Sequence, residues 1–169
     1  MAKIKNKLPI TVSWEGPEKR ELYLDSMIKE NNWNIGVEIG VRFGRTLFYL
    51  LDNNPNLKMY AVDIDTSQFY NQLVSARYAD RLVVLEGDSS TLASTIKETV
   101  DFVFIDGAHS KKAVIKDITE YRKILKDDRG LTGHDIDYPS IQSALSDLGI
   151  NYDVGPDNVW TFKSTGLSN

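Results

Sequence analysis

The sequence predicts an α/β fold: a doubly wound, mostly parallel sheet between two helical layers, with an antiparallel strand at the C-terminal end. Three observations carry this. Five short apolar runs alternate with stretches of helical spacing from residue 35 to about 150; such alternation implies parallel strands joined by right-handed helical crossovers. A carboxylate stands at or just after the end of every run: Glu38, Asp63, Asp88, Asp106 and Asp135. Two further short runs flank Gly155-Pro156-Asp157-Asn158 and read as an antiparallel pair.

The 169 residues fit one domain, divided into an irregular lead over 1–16, an N-terminal helix over 17–34 and the sheet core over 35–169. A net charge of −4 disfavours a nucleic-acid partner, because binding phosphates needs a basic face. With no cysteine, disulfides, thiolate metal sites and thiol catalysis are excluded, and any metal must be held by oxygen or imidazole. The basic N-terminus, Lys3, Lys5 and Lys7, is followed by no apolar signal region, and no run is long enough to span a membrane. The expectation is a soluble, cytoplasmic protein with no membrane partner; a homo-oligomer is left open.

Pro17 suits the first turn of a helix over Glu18 to Asn31, where Leu24, Met27 and Ile28 keep helical spacing. Ile35 to Ile39 reads as a buried strand, and Thr46 to Leu51 as the helix after its glycine turn. Leu57 to Val62 is the second strand, followed by a polar helix through about Tyr78. Arg81 to Leu85 is the third, with a helix around Leu92 to Lys97 capped by Asp88 or the neighbouring serines. Val100 to Ile105 is the fourth and most apolar strand, and Val114, Ile118, Tyr121 and Leu125 give the next helix a core face. Gly130 to Gly133 is a weak fifth strand. Pro139 opens a helix carrying Ile141, Ala144, Leu145 and Leu148, which Gly149 ends. Tyr152 to Val154 and Val159 to Lys163 are the closing pair.

In such a sheet, ligands bind at the carboxyl ends of the strands. The first loop, Glu38-Ile39-Gly40-Val41-Arg42-Phe43-Gly44-Arg45-Thr46, turns through two glycines four apart. It is neither the G-x-G-x-x-G of nicotinamide sites nor a P-loop, yet Gly40 and Gly44 permit close backbone approach and Glu38 can receive an ammonium donor. Asp63 lies about 20 residues further on, where a carboxylate can accept both hydroxyls of a ribose. Asp65, before Thr66 and Ser67, fits a helix cap better.

These segments resemble the motifs of the class I S-adenosylmethionine-dependent methyltransferases, whose fold is Rossmann-like: Glu38 to Gly44 the first, Tyr60-Ala61-Val62-Asp63 the second, Glu86-Gly87-Asp88-Ser89 the third. Phe102 to Ser110, with Ile105-Asp106-Gly107-Ala108-His109 at its centre, and Leu131 to Asp135 resemble a small family associated with sugar and natural-product O-methylation. The resemblance implies S-adenosylmethionine as cofactor. Glu38, Gly40 and Gly44 then contact its methionine part, Asp63 its ribose, and Asp88 with Ser89 its adenine; Arg42, Ile64 and Asp106 complete the expected cofactor set. It also implies a small-molecule or sugar hydroxyl as methyl acceptor.

Asp106 and His109 span a strand-to-helix turn and can project into one cleft, with His109 as general base. The plainer alternative has Asp106 capping the helix that His109 begins. Asp106 and Asp135 can share a divalent cation with His134 beside them; two carboxylates suit Mg²⁺, and imidazole favours a transition metal. Related metal-dependent enzymes carry an acidic or amide pair where this chain has His134 and Asp135. A Pro-Gly-Gly turn usual before the fifth strand is replaced by Asp127-Asp128-Arg129-Gly130, which predicts a more charged, looser turn. Trp14, Tyr138 and Trp160 are aromatic candidates for covering the acceptor, with packing as the plainer role. Three rivals remain: a non-catalytic S-adenosylmethionine-binding module; a nicotinamide-dependent oxidoreductase, which the missing G-x-G disfavours; and a nucleic-acid methyltransferase, which the acidic charge and the absence of an Asn/Asp-Pro-Pro-Tyr segment disfavour.

Overall fold

The computed structural model describes residues 16–164, so Trp14 and most of the lead lie outside the described residues. Seven strands form one sheet in the order β3-β2-β1-β4-β5-β7-β6. The parallel strands are β1 (Ile35–Ile39), β2 (Lys58–Asp63), β3 (Leu82–Glu86), β4 (Phe102–Ile105) and β5 (Leu131–Gly133). The closing strands β6 (Tyr152–Val154) and β7 (Trp160–Phe162) are antiparallel, with β7 on β5. The fold class is the one the alternating runs predict.

Side chains along each strand divide between two cores. Val37 and Ile39 of β1, Tyr60 and Val62 of β2, and Val103 and Ile105 of β4 pack on one face against α5 (Lys111–Tyr121) and α6 (Pro139–Asp147). Met59, Ala61, Phe102 and Phe104 fill the other, against α1 (Lys19–Asn31) and α2 (Arg45–Asn53). Burial on both faces is why these strands read as continuous apolar runs. The stripe of α1 is imperfect because Glu21 and Asp25 are buried on it beside Leu24 and Ile28. Arg45 Nε lies 3.0 Å from Glu21, while Lys29 and Asn54 donate to Asp25 at 2.6 and 2.8 Å.

Three local expectations need correction. The helix after β2 is not continuous: a short turn over Thr66–Gln68 is capped by Asp65, and α3 (Gln72–Tyr78) starts afresh at Asn71, whose side chain accepts from Leu73 and Val74. The helix after β3 starts earlier than predicted, as α4 (Ser89–Leu92), because Asp88 accepts the Ser90 amide as its N-cap. The turn before β5 is charged but tight. Asp127 accepts the Arg129 amide at 2.9 Å, and a Cβ on Gly130 would meet the Asp101 carbonyl oxygen at 2.0 Å.

Trp160 belongs to the core, 1% exposed, and is no cover. Tyr138 is exposed and stacks on His109, with ring centroids 4.7 Å apart.

The strand order reverses direction at β1, so the loops after β1 and β4 face each other across the crevice where such sheets bind ligands. Their approach is close: Asp106 N donates to the Ile39 carbonyl at 2.8 Å, and His134 N to the Ile105 carbonyl at 2.9 Å. All five carboxylates are thereby brought to one edge.

Candidate functional site

That edge carries two adjoining depressions which share Gly40 and Gly107. The first, about 610 Å³, is bounded by Asp63 and Ile64, by Gly87 to Ser90, and by the start of α5. The second, about 510 Å³, holds Glu38, Arg42, Asp106, His109, His134 and Asp135, with Arg20 of α1 at its wall.

In the first depression Asp63 serves the loops before any ligand. Its Oδ2 accepts the Arg42 amide at 2.8 Å and its Oδ1 the Asp65 amide at 3.1 Å. Arg42 has φ of 53°, a left-handed conformation that this bond from Asp63 helps to hold. Its guanidinium lies over Phe43, 5.0 Å from the ring centroid. Ile64 is 74% exposed, an apolar surface at the lip against which a flat ligand can rest. Asp88 Oδ1 accepts from Ser90 N and Oγ at 3.0 and 2.7 Å, and the Ser89 hydroxyl donates to Asp117 at 2.6 Å.

The glycines have a reason within the protein. A Cβ on Gly40, at φ of 84°, would sit 2.2 Å from the Asp106 carbonyl oxygen; one on Gly44, the residue before α2, would sit 2.4 Å from the Phe48 ring. Tight loop packing therefore accounts for both, without a ligand's approach.

Glu38 is 2% exposed, and its Oε2 has no hydrogen-bond partner among the described residues. Burial, with the Asp106 charge adding to it and Arg20 opposing, pushes the Glu38 carboxyl well above the usual carboxylate range. An orphaned buried acceptor at a cleft suits a ligand bearing an ammonium group.

The second depression contains a chain of charged contacts. His109 Nε2 lies 2.6 Å from Asp135 Oδ2; Asp135 Oδ1 lies 3.0 Å from His134 Nδ1, which is 3.4 Å from Asp106 Oδ1. Arg20 closes the chain at 3.3 Å from Asp106 Oδ2. Asp106 and His109 thus share a depression, as expected, but the histidine's direct partner is Asp135. Neither caps α5; Ser110 does, accepting from the Ala113 amide. Asp135 has φ of 57°, which turns its carboxylate back between the two imidazoles.

Asp106, His134 and Asp135 offer ligand atoms within 4.8 Å of one another, and the donor set fits a divalent ion with a preference for imidazole. His134 must first lose a proton. Burial of its ring opposes protonation, but the Asp106 hydrogen bond and the Asp106 and Asp135 charges outweigh this and push it up to about 9. The imidazolium stands where a cation would neutralise the two carboxylates.

Sequence reasoning did not find Arg20, Asp117 or Asp157. Asp157 comes from the turn between β6 and β7, 3.7 Å from His134 Nε2 and 4.0 Å from Arg20 Nε. Only Asp117 left a trace, as a carboxylate on the core stripe of a helix.

A sheet in this order, with its switch point facing a run of strand-end carboxylates, is consistent with the class I S-adenosylmethionine-dependent methyltransferases that the sequence motifs resemble. Residues 37–136 match the family model described as a methyltransferase domain, and the chain belongs to that family. No curated protein matches the chain by sequence. Among solved structures, a Staphylococcus aureus protein assigned as a caffeoyl-CoA O-methyltransferase superposes with a TM-score of 0.73 at 14% identity, covering 94% of this chain and 87% of that one. TomG, an O-methyltransferase of tomaymycin synthesis from Streptomyces achromogenes solved with S-adenosylmethionine, gives 0.66 at 13% identity, covering 86% and 80%. A precorrin 8w decarboxylase from Methanobacterium thermoautotrophicum gives 0.59 at 18%, covering 85% and 78%. At these identities the likeness is one of fold.

Proposed function

We propose that this chain transfers the methyl group of S-adenosylmethionine to a hydroxyl oxygen of a small polar acceptor, a sugar or similar polyhydroxylated molecule. The observation that carries this is the exposed imidazole of His109, oriented by Asp135 at 2.6 Å, in a depression that adjoins the first one at Gly40 and Gly107.

The first depression takes the adenosine part, with Asp63 at the ribose, Ile64 against a flat face, and Asp88 and Ser89 at the base. Glu38 receives the ammonium of the methionine part, which gives its unpaired oxygen a donor. Gly40, Arg42 and Gly44 shape the loop beside it, and Asp106 borders both halves.

Methyl transfer is a displacement. The acceptor oxygen forms a bond to the methyl carbon as the carbon–sulfur bond breaks, S-adenosylhomocysteine leaves, and the hydroxyl proton must be taken up. With Nε2–H donated to Asp135, His109 presents Nδ1 as the base. The protein otherwise holds donor and acceptor in line and excludes water. A divalent cation held by Asp106, His134 and Asp135 would lower the pKa of the acceptor hydroxyl. Oxygen acceptors are supported by O-methyltransferases among the similar structures, and a small acceptor by the chain's net negative charge. No described helix is long and apolar enough to cross a membrane.

The test is incubation with methyl-labelled S-adenosylmethionine and a panel of sugars and phenols, with and without Mg²⁺ or Mn²⁺, the products identified by mass spectrometry. Label on an acceptor oxygen is expected. Tight S-adenosylhomocysteine binding with no label on any acceptor would replace this reading with that of a non-catalytic binding module.

A further inference from the structure

His134 presents its two ring nitrogens to different surroundings. Nδ1 faces the carboxylate pair, 3.0 Å from Asp135 Oδ1 and 3.4 Å from Asp106 Oδ1. Nε2 faces the turn between β6 and β7 instead. It is buried, makes no hydrogen bond among the described residues, and has Asp157 Oδ2 at 3.7 Å, just beyond bonding distance. A buried donor left unpaired is costly, so its retention calls for a reason.

The turn that carries Asp157 is held in place from two sides. The Asn158 carbonyl accepts the Ile136 amide at 3.2 Å, which ties the turn to the loop after β5. Gly155 lies so close to α1 that a Cβ there would meet the Tyr23 ring at 2.5 Å. Asp157 and Asn158 both have φ of 55°, a left-handed conformation that Asp and Asn tolerate better than other side chains.

A ring nitrogen ligates a cation through a bare lone pair. If Nδ1 is the ligand, the hydrogen of the neutral ring sits on Nε2 and needs an acceptor. Metal-bound histidines regularly donate this hydrogen to a carboxylate, which fixes the tautomer and the angle of the ring. Resting on the reading that Asp106, His134 and Asp135 hold a divalent cation, we propose that Asp157 is the positioning carboxylate of that centre: its Oδ2 accepts the Nε2 hydrogen of His134, presents Nδ1 to the ion and so commits the centre to a transition metal over Mg²⁺. Oxygen ligands alone suit Mg²⁺, whereas an oriented imidazole favours the softer ions. Arg20 Nε, also buried without a partner and 4.0 Å from the same oxygen, is the rival donor. Its other nitrogens are engaged at 3.3 Å from Asp106 and 3.6 Å from Glu18, and a carboxylate has lone pairs enough to serve both.

The experiment is calorimetric titration of Co²⁺ and, separately, of Mg²⁺ into the full chain as wild type, Asp157→Asn, His134→Asn and the double variant. Asparagine adopts the same left-handed turn, so Asp157→Asn keeps the fold. Wild type is expected to bind Co²⁺ more tightly than Mg²⁺. Asp157→Asn should lose about 10–100-fold in Co²⁺ affinity, the range for an outer partner of a metal ligand, and much less in Mg²⁺ affinity. The visible absorption of bound Co²⁺ should also change, because the ring is no longer held at its angle. In the His134→Asn background the preference for Co²⁺ should shrink, and adding Asp157→Asn should then alter Co²⁺ affinity by less than about threefold. An equal loss with and without His134 would make Asp157 a distant charge; an unchanged affinity in Asp157→Asn would leave it serving Arg20 alone. Either result overturns the proposal while the metal centre stands. Mg²⁺ bound as tightly as Co²⁺ by wild type would overturn the choice of metal. If wild type takes up neither ion, the metal centre itself falls, and the proposal with it.

Discussion

His109 Nε2 lies 2.6 Å from Asp135 Oδ2, and the same carboxylate turns its other oxygen to His134 Nδ1 at 3.0 Å. One side chain therefore touches two imidazoles in different surroundings. His109 is 42% exposed on its side chain and open to the depression, whereas His134 is enclosed between two carboxylates.

Replacing His109 by Ala is expected to lower kcat by about 10²–10⁴-fold while S-adenosylhomocysteine affinity stays within about twofold, because the ring serves proton transfer and lies outside the first depression. Asp135→Asn should lower kcat less and shift the pH profile, having lost the group that orients the ring. Steady-state kinetics beside calorimetry separates the two effects; equal loss of turnover and cofactor affinity in His109→Ala contradicts the role given to it.

In the metal-free protein His134 should titrate near 9, followed by the pH dependence of its imidazole NMR signals. Its folded pKa is raised above the unfolded value of 6.5, so its stabilisation is fully present below about 6.5 and is lost as pH rises through about 9. Denaturant titrations at pH 6 and pH 10 should show this loss, and His134→Gln should remove most of the difference.

Glu38→Gln separates folding from binding. The buried carboxyl is held toward its neutral form, so an amide should leave the melting temperature unchanged or raise it. Affinity for S-adenosylhomocysteine should nonetheless fall by about 10–100-fold, through loss of a charged acceptor for the ammonium group. A large drop in melting temperature would show that the charged form braces the fold.

Gly40→Ala should destabilise the chain by roughly 2–5 kcal/mol, combining left-handed backbone strain with overpacking against the Asp106 carbonyl. The shift in denaturant midpoint measures it. A neutral result would mean that the loops after β1 and β4 separate more easily than their hydrogen bonds suggest.

The sheet was legible because its strands are buried on both faces: Val37, Ile39, Val103 and Ile105 point to one core and Met59, Ala61, Phe102 and Phe104 to the other, and all are apolar. The carboxylates were legible because strand ends are fixed by topology. The exact helix starts were not. Asp65, Asn71 and Asp88 each compete as caps, and the sequence does not say which turn prevails. Partners across the site were hidden for a different reason. Nothing local to Arg20 marks it as a neighbour of Asp106, since their meeting depends on how α1 settles against the sheet.

Arg20 near the start of the described chain lies 3.3 Å from Asp106 Oδ2, and Asp157 near its end lies 3.7 Å from His134 Nε2 and 4.0 Å from Arg20 Nε. The first depression is made instead from consecutive strand–helix units in the middle of the sequence. On the proposed reading, the adenosine part of the donor is met by the middle of the sequence alone, whereas the acceptor side adds Arg20 and Asp157 from the two ends. Exchange of those terminal segments between relatives is then expected to change which molecule is methylated and to spare the adenosine site.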